Sequence, residues 1–362
     1  MKFGVTVVPR ISDWKLFVDL EAMGYDCAWA ADSQMLYSDA YATLALAAAN
    51  TSRIRLGTGV SVAGVRLAPV TAHSIATINQ LAPGRVFLGI GTGHTAMRVM
   101  GKDPVRAKGF REYLRVLRAL LHGEEVDYAL TEDGERTDIR FLHSDMGFID
   151  VKHPVPIYVA ADGPLALKAA GAYGDGRVCS HNQTRARLQK SLETMQQGAS
   201  AVARAFPKDF HTAALGYACV LKPGEKMTSD RVIDEIGSMA AATLHYWWEL
   251  YEKDGDTSTV AQRCRNLWDE YLAFTEKMET PRAKRYQQVH YGHCAFLPPE
   301  ERRFITEDLI RATGGLVGTP DEIIAMLRER EAMGLDEITL LPAMDMARQN
   351  LRDFAQQVIA RY

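Results

Sequence analysis

Cysteine is scarce in this sequence, and none of it is spaced for metal binding or for a disulfide framework. The chain of 362 residues contains five scattered cysteines without a CxxC pair. An odd set of unpaired thiols is typical of a protein kept reduced in the cytosol. We therefore expect a cytoplasmic protein with no disulfides and no metal site.

An excess of one charge is also missing. Lysine and arginine total 42 residues against 45 aspartate and glutamate residues, which gives a formal net charge of −3. No block of like charge stands out, so nucleic-acid binding is not expected as the main function. Acidic substrates and anionic cofactors stay open, because local sites decide their binding.

Long hydrophobic runs are absent as well. No apolar stretch reaches membrane-spanning length. Met1 leads directly into a short apolar strand, without the basic region and long apolar run of a secretory signal. We expect neither a membrane segment nor a signal peptide.

Several common catalytic motifs do not occur. The sequence contains no GxSxG nucleophile elbow and no Walker A phosphate loop. The glycine run at residues 89–94 lacks the third glycine of the GxGxxG dinucleotide fingerprint, and it ends a fourth strand–helix unit. We therefore reject a Rossmann-type dinucleotide site.

The sequence does contain a regular alternation of strand and helix patterns. Short β-rich runs predict strands at residues 3–8, 27–31, 54–60, 86–90, 157–161, 177–180, 211–221 and 336–341. Apolar spacing predicts helices at residues 13–23, 40–50, 70–81, 108–121 and 164–173, a further helix to about residue 206, and helices at 319–333 and at the end of the chain. Eight strands, most of them followed by a helix, predict an α/β fold of the (β/α)8 TIM-barrel type.

Two stretches interrupt the alternation. Residues 123–154 are polar and predict a hairpin insertion. Residues 227–311 are helix-rich and aromatic and lie between strands seven and eight, where they would form a lid or a dimer surface. Because no linker composition marks a boundary, we predict a single domain over residues 1–362.

Several motifs, taken together and in order, resemble one family. They are MKFGVTVVP at the start, WAADSQ from residue 29, TSRIRLGTGV from 51, ATINQLAPGRVFLGIGTG from 76, IYVAADGPLALKAAGAYGDG from 157 and LVGTPDEI from 316. The chain resembles the bacterial luciferase-like flavin-dependent oxidoreductases. Within that family it is most similar to the methylenetetrahydromethanopterin reductase-like branch. The resemblance covers roughly residues 1–220 and 312–342, and residues 227–311 match nothing reliable.

The resemblance implies a barrel that holds FMN or the deazaflavin coenzyme F420 across the carboxyl ends of its strands. The residues that it assigns to the cofactor are Asp32, Ser33, Gly59, Val60, Ser61, Thr92, Ala161, Asp162, Gly163, Pro164, Ser180, His181 and Asn182. It also implies a non-proline cis peptide at Gly59–Val60, where the residues alone favour a plain glycine-rich strand end.

The segment around Gly163 lies where a strand meets a helix. The N–H groups and dipole of a helix start can hold a phosphate, and a glycine lets the backbone approach it closely. Asp162 should then point away from the anion. From the residues alone, an ordinary strand–helix turn is favoured over a phosphate site; the resemblance reverses that preference.

Proton transfer needs a group whose pKa lies near neutrality, and histidine suits it. Relatives commonly carry histidine after the acidic residue at the end of strand two, but this chain has Ser33 there, after Asp32. Asp32 is a catalytic candidate, with a helix N-cap as the alternative. The histidine candidates, in order of preference, are His293 and His290, then His94, with His181 better suited to the phosphate end.

Buried helix core is the competing interpretation of the aromatic and histidine-rich insertion, which carries His245-Tyr246-Trp247-Trp248 and His290-Tyr291-Gly292-His293. The spacing of the second pair fits a zinc site, but the sequence identifies no third and fourth ligands. We therefore expect no metal there.

Three functions remain open. The first is a luciferase-like monooxygenase that uses reduced FMN and oxygen on a small organic substrate, with a separate flavin reductase as the candidate partner that supplies the reduced FMN. The second is an F420-dependent reductase or dehydrogenase that transfers hydride. The third is a non-catalytic flavin-binding barrel. The resemblance also implies a homodimer, for which the apolar helices at residues 40–50 and 70–81 are suited.

Overall fold

The protein is described here by a computed structural model that covers residues 1–131, 133–180 and 182–362. The strands are β1 (Lys2–Val7), β2 (Cys27–Ala30), β3 (Arg55–Val62), β4 (Val86–Gly91), β5 (Val126–Tyr128), β6 (Thr137–Ile139), β7 (Ile157–Ala160), β8 (Gly176–Ser180), β9 (His211–Gly216), β10 (Ala218–Val220), β11 (Leu316–Gly318) and β12 (Glu337–Leu340).

The helices alternate with these strands in the first part of the chain and dominate the later part. They are α1 (Lys15–Met23), α2 (Ala40–Asn50), α3 (Ala68–Leu81), α4 (His94–Arg98), α5 (Ala107–Leu121), α6 (Pro164–Tyr173), α7 (Arg185–Ser200), α8 (Asp230–Asp254), α9 (Arg265–Glu276), α10 (Arg285–Val289), α11 (Glu307–Ala312), α12 (Pro320–Ala332) and α13 (Ala347–Gln357). Among the described residues, no helix combines the length and apolarity needed to cross a bilayer.

Eight of the strands close into a parallel barrel, in the order β1, β12, β9, β8, β7, β4, β3 and β2. Gly4 pairs with Cys27 between β1 and β2, and Cys27 pairs with Arg55 between β2 and β3. The predicted (β/α)8 barrel is confirmed, as is the helical insertion between its seventh and eighth strands, β9 and β12.

The chain divides into two compact units. The first unit comprises residues 1–214 and 333–337, and the second comprises residues 215–332 and 338–362. The single domain over residues 1–362 stays a prediction.

Side-chain patterning accounts for the elements of the first unit. All six residues of β4 are buried, as a strand with both faces covered requires. Helix α5 buries one stripe that includes Phe110, Leu114 and Leu117. Residues 126–128 and 137–139 pair as an antiparallel hairpin, which confirms the hairpin predicted within residues 123–154.

The second unit has its own apolar core. The largest buried side chains in it are aromatic and include Trp247, Trp268, Tyr271 and Phe304. The rings of Trp247 and Trp268 meet edge to face, with their centroids 6.2 Å apart. These aromatic side chains therefore form a buried core between helices, which agrees with the helix-core interpretation of the insertion.

The predicted seventh strand, residues 211–221, was wrong as one continuous element. Strand β9 ends at Gly216, and β10 pairs in parallel with β11, which the sequence patterns did not identify. Tyr217 separates the two strands; it is buried, and its hydroxyl is hydrogen-bonded to Thr313 Oγ1 at 2.5 Å. A Cβ at Gly315 would lie 2.3 Å from the Tyr217 ring, so the ring packs directly on that backbone.

The predicted extent of the helix to about residue 206 was also wrong. Helix α7 ends at Ser200, because the following turn places Ala203 at a left-handed φ of 54°. The Arg204 N–H then donates back to the Ala199 carbonyl at 3.0 Å and closes the helix end.

A buried carboxylate, Glu337, is hydrogen-bonded inside the barrel. It opens β12 and is 0% exposed. Its Oε1 accepts from the Trp29 indole N–H at 2.7 Å, and its Oε2 lies 2.9 Å from His211 Nε2. A Cβ at Gly4 would lie 2.3 Å from Oε1, so the glycine of β1 provides the space for this carboxylate.

These contacts set the ionisation of Glu337. Burial alone would raise the pKa of its carboxyl group, but hydrogen bonds from His211, Trp29 and Cys27, together with the charge of His211, outweigh burial and lower the pKa. Glu337 is therefore ionised at neutral pH although it is buried.

Replacing Glu337 by alanine should lower the free energy of unfolding by about 3–5 kcal/mol, because its partners would stay buried without it. Glu329→Ala, at an exposed position of α12, is the control and should change the value by no more than about 0.5 kcal/mol. Urea unfolding measures both variants, and equal losses would contradict the role of Glu337.

The same contact predicts a pH dependence. The folded-state pKa of Glu337 lies below the value of 4.5 for the unfolded chain, so its stabilisation is fully present above pH 4.5. It is lost as the pH falls through the folded-state pKa. The urea midpoint of the parent protein should therefore fall more between neutral and acid pH than the midpoint of Glu337→Gln.

Candidate functional site

A buried polar network joins the carboxyl ends of β2 and β3. Asp32, two residues after β2, is 6% exposed. Its Oδ2 accepts hydrogen bonds from Ser61 Oγ at 3.0 Å and from Arg66 Nη1 at 2.8 Å. The Tyr41 hydroxyl lies 2.6 Å from Ser61 Oγ. Two predicted cofactor residues, Asp32 and Ser61, are therefore in direct contact.

Two opposing effects set the pKa of Asp32: its burial and its contact with the cationic Arg66. Burial raises the pKa of its carboxyl group, and Arg66 and the Ser61 hydrogen bond offset only part of this. Asp32 does not cap α2, because that position belongs to Asp39, whose Oδ1 accepts from the Ala42 N–H at 2.8 Å. The second arm of Arg66 binds Asp39 at 2.6 Å and links the two carboxylates.

Ser33, where the resemblance implies a histidine in relatives, lies in a half-buried turn. Its carbonyl accepts from the N–H groups of Leu36 at 2.9 Å and Tyr37 at 3.0 Å. The following Gln34 donates to the Ala96 carbonyl at 3.1 Å, which ties this turn to the segment after β4. The turn is thus held mainly by backbone contacts.

The peptide bond between Gly59 and Val60 is cis, which confirms the prediction. Packing explains the glycines around it. A Cβ at Gly59 would lie 2.6 Å from Trp29 Cβ, and a Cβ at Gly89 would lie 2.2 Å from the Thr58 carbonyl oxygen. Side chains at these two positions would therefore collide with the neighbouring strands.

Thr92 and His94 follow the carboxyl end of β4. Thr92 is half-buried, and its carbonyl accepts from the Val105 N–H at 3.0 Å. Gly93 adopts a left-handed φ of 85° and starts the short helix α4, which sequence patterns did not identify. His94 is the first residue of that helix and is exposed.

The β7–α6 junction contains an arginine–carboxylate pair. Arg177 is 1% exposed and donates through Nε to the Ala161 carbonyl at 2.8 Å and through Nη2 to Asp162 Oδ1 at 2.9 Å. Asp162 Oδ2 also accepts from Ser180 Oγ at 3.2 Å. The carboxylate of Asp162 is therefore turned toward β8.

Gly163 precedes Pro164, the first residue of α6, and is exposed. Its φ of −84° is open to any residue. A Cβ at this position would have no protein atom within 4 Å. The backbone therefore does not require glycine, and the space beside it is open to a ligand.

Two further candidates lie at the carboxyl end of β8, where Ser180 is the last residue of the strand and Asn182 follows it. Ser180 is half-buried, and Asn182 is exposed. His181 lies outside the described residues. Sequence reasoning missed Arg66 and Arg177, although an arginine at the start of the predicted strand at residues 177–180 was a usable signal for Arg177.

His290 and His293 lie in the second unit. His290 is 1% exposed, whereas His293 is partly exposed. Their Nδ1 atoms are 3.4 Å apart. Burial lowers the pKa of both imidazoles, and the neighbouring His245 lowers each further. Both side chains are therefore neutral at pH 7.

Comparison with known proteins identifies relatives across most of the chain. The family described as "Luciferase-like monooxygenase" matches residues 14–337. A 5,10-methylenetetrahydromethanopterin reductase of Methanolobus tindarius is 34% identical over 226 residues, which cover 60% of this chain and 65% of the relative.

An F420-dependent glucose-6-phosphate dehydrogenase of Kineococcus radiotolerans is 38% identical over 176 residues, which cover 45% of this chain and 50% of that protein. The chain thus spans between half and two thirds of these curated relatives. The structure of a coenzyme F420-dependent tetrahydromethanopterin reductase from Methanopyrus kandleri superposes with a TM-score of 0.69 at 20% identity, covering 100% of this chain and 99% of that one. At this identity the likeness supports the fold alone.

Proposed function

We propose a function on the premise that this chain belongs to the luciferase-like monooxygenase family. It is an oxidoreductase that binds coenzyme F420 at the carboxyl ends of its barrel strands. The observation that carries the proposal is its 34–38% identity to two relatives, one of them named as F420-dependent. Bound coenzyme F420 supplies hydride transfer, and the protein supplies binding, orientation and proton transfer.

The β7–α6 junction supports binding of an anionic cofactor. The N–H groups at the start of α6 and its dipole favour a phosphate. The open space beside Gly163 admits a ligand to the backbone. The buried Arg177 pairs with Asp162 and balances the negative charge of that carboxylate, which reduces its repulsion of an anion. We assign the phosphate group to Gly163 and to the neighbouring Ser180.

The network of Asp32 supports a second contact region. Arg66 and Ser61 hold its carboxylate in one orientation at the ends of β2 and β3. Ser61 lies near the carboxyl end of β3, and Asp32 follows β2. We assign the ring system of the cofactor to this part of the barrel. FMN with oxygen is the alternative, and the homodimer and the flavin reductase stay predictions.

Equilibrium binding of F420 and FMN, each oxidised and reduced, to the purified apoprotein tests the proposal. We expect F420 to bind at least about 10-fold more tightly than FMN, a difference of about 1.4 kcal/mol. Tighter binding of reduced FMN, with oxygen consumption in the presence of substrate, would instead identify a monooxygenase. Binding without turnover would support the non-catalytic alternative.

Gly163→Val should weaken cofactor binding by about 1–3 kcal/mol, the range for lost buried hydrogen bonds. The valine would crowd the anion while meeting no protein atom at its Cβ. Gly109→Val, at an exposed position of α5, is the matched control. An unchanged dissociation constant in a folded Gly163→Val protein would count against the phosphate site.

We assign proton transfer to His94, ahead of His293 and His290. His94 is exposed at the carboxyl end of β4, in the same compact unit as Asp32. His290 Nε2 lies 2.6 Å from Glu249, and its Nδ1 faces His293. Both nitrogens of His290 therefore lie close to other side chains of the second unit.

His94→Gln should reduce the single-turnover rate of hydride transfer by about 100-fold or more, the scale of general acid–base catalysis, and should change the pH profile of that rate. The first substrates to test are those in the names of the relatives, glucose 6-phosphate and 5,10-methylenetetrahydromethanopterin. His73→Gln, at an exposed position of α3, serves as the control. A parental rate and pH profile in His94→Gln would exclude this donor.

A further inference from the structure

Three histidines meet inside the second unit. His245 lies on α8, His290 directly follows α10, and His293 lies in the turn after it. One ring nitrogen from each lies within 4.8 Å of one from each of the others. The ring centroids of His245 lie 5.6 Å from His290 and 6.0 Å from His293. His245, which the sequence analysis did not identify as a metal ligand, thus lies next to the His290–His293 pair.

Buried carboxylates lie beside the outer nitrogens of two of these rings. His290 Nε2 lies 2.6 Å from Glu249 Oε1, and His245 Nε2 lies 3.1 Å from Glu301 Oε2. Glu249 follows His245 by one helical turn on α8. A carboxylate on the distal nitrogen is the usual support of a metal-binding histidine, because it orients the ring and increases its basicity.

Two of the remaining nitrogens are spaced as ligands of one ion would be. His290 Nδ1 and His293 Nδ1 are 3.4 Å apart. Zinc–nitrogen bonds of about 2.0–2.1 Å at tetrahedral angles separate two ligand atoms by about 3.3 Å. His245 Nδ1 is buried and has no hydrogen-bond partner within the described part of the chain. A buried nitrogen of this kind normally has a partner.

We propose that His245, His290 and His293 bind a divalent transition-metal ion, with Zn²⁺ as the reference ion, through one ring nitrogen each. Imidazole ligands suit Zn²⁺ and its first-row neighbours rather than Mg²⁺ or Ca²⁺. The buried carboxylates of Glu249 and Glu301 add negative charge that a dication would balance. Three protein ligands leave a fourth position for water or another small ligand.

The partly exposed His293 gives an ion access to this site, whereas His290 and His245 are each 1% exposed. A bound ion would link α8 to the segment after α10 within the second unit. This inference is independent of the proposed cofactor, so failure of either proposal leaves the other testable. The alternative is a hydrogen-bonded histidine cluster that binds no metal.

Zn²⁺ and Co²⁺ titrations of the full-length, untagged protein after chelator treatment test the site. We expect one equivalent to bind, with the visible absorption of tetrahedral Co²⁺ and a rise in the thermal midpoint that grows with free Zn²⁺. Failure to bind one equivalent of either ion would overturn the proposal.

Variants locate the bound ion. His290→Gln and His293→Gln should each weaken binding more than about 100-fold, and Glu249→Gln should weaken it by about 10–100-fold, the range for a supporting carboxylate. His73→Gln, on α3 of the first unit, should bind like the parent. Near-ultraviolet circular dichroism checks that each variant is folded, and the partly exposed His293 is the position least dependent on core packing. Parental affinity in folded His293→Gln and Glu249→Gln would assign the ion to another part of the chain and overturn the proposal.

Discussion

The hydrogen bonds of the buried Glu337 carboxylate are the constraint on which the interior of the barrel depends. An ionised carboxylate without water must be matched by donors, because its desolvation costs far more than a single hydrogen bond contributes. The Trp29 indole N–H and His211 supply that match from two other strands. Gly4 has no side chain because the Glu337 carboxylate occupies the space beside it.

This constraint extends through Trp29 to the carboxyl ends of the strands. With its indole nitrogen held by Glu337, Trp29 packs edge to face on Phe87 at a centroid distance of 4.4 Å. Its Cβ lies where a side chain at position 59 would begin, so only glycine fits there. The geometry of the candidate cofactor region is therefore coupled to packing deeper in the barrel.

Arginine–carboxylate pairs organise the two candidate contact regions in the same way. Arg66 orients Asp32, and Arg177 orients Asp162. In both cases a planar guanidinium binds a carboxylate and a second oxygen acceptor, which restricts the carboxylate to one orientation. The histidine cluster of the second unit is instead held by two glutamates, Glu249 and Glu301.

The amino-acid sequence by itself determined the barrel, because the alternation of strand and helix patterns is local information that survives without tertiary contacts. Its motifs also identified the family, and the resemblance that they carry predicted the cis peptide at Gly59–Val60, where the residues alone favoured a plain strand end. The break at Tyr217 was not predictable, since an apolar run has the same pattern whether it continues in the barrel or pairs with β11.

Only the tertiary structure decided which polar residues meet. Glu337 and Trp29 are 308 positions apart, and His245 and Glu301 are 56 apart. No periodicity or short motif connects residues at such separations, because their contact depends on how whole strands and helices pack. The sequence therefore identified Asp32 and the His290–His293 pair as candidates, whereas the fold supplied Arg66 for the first and His245 for the second.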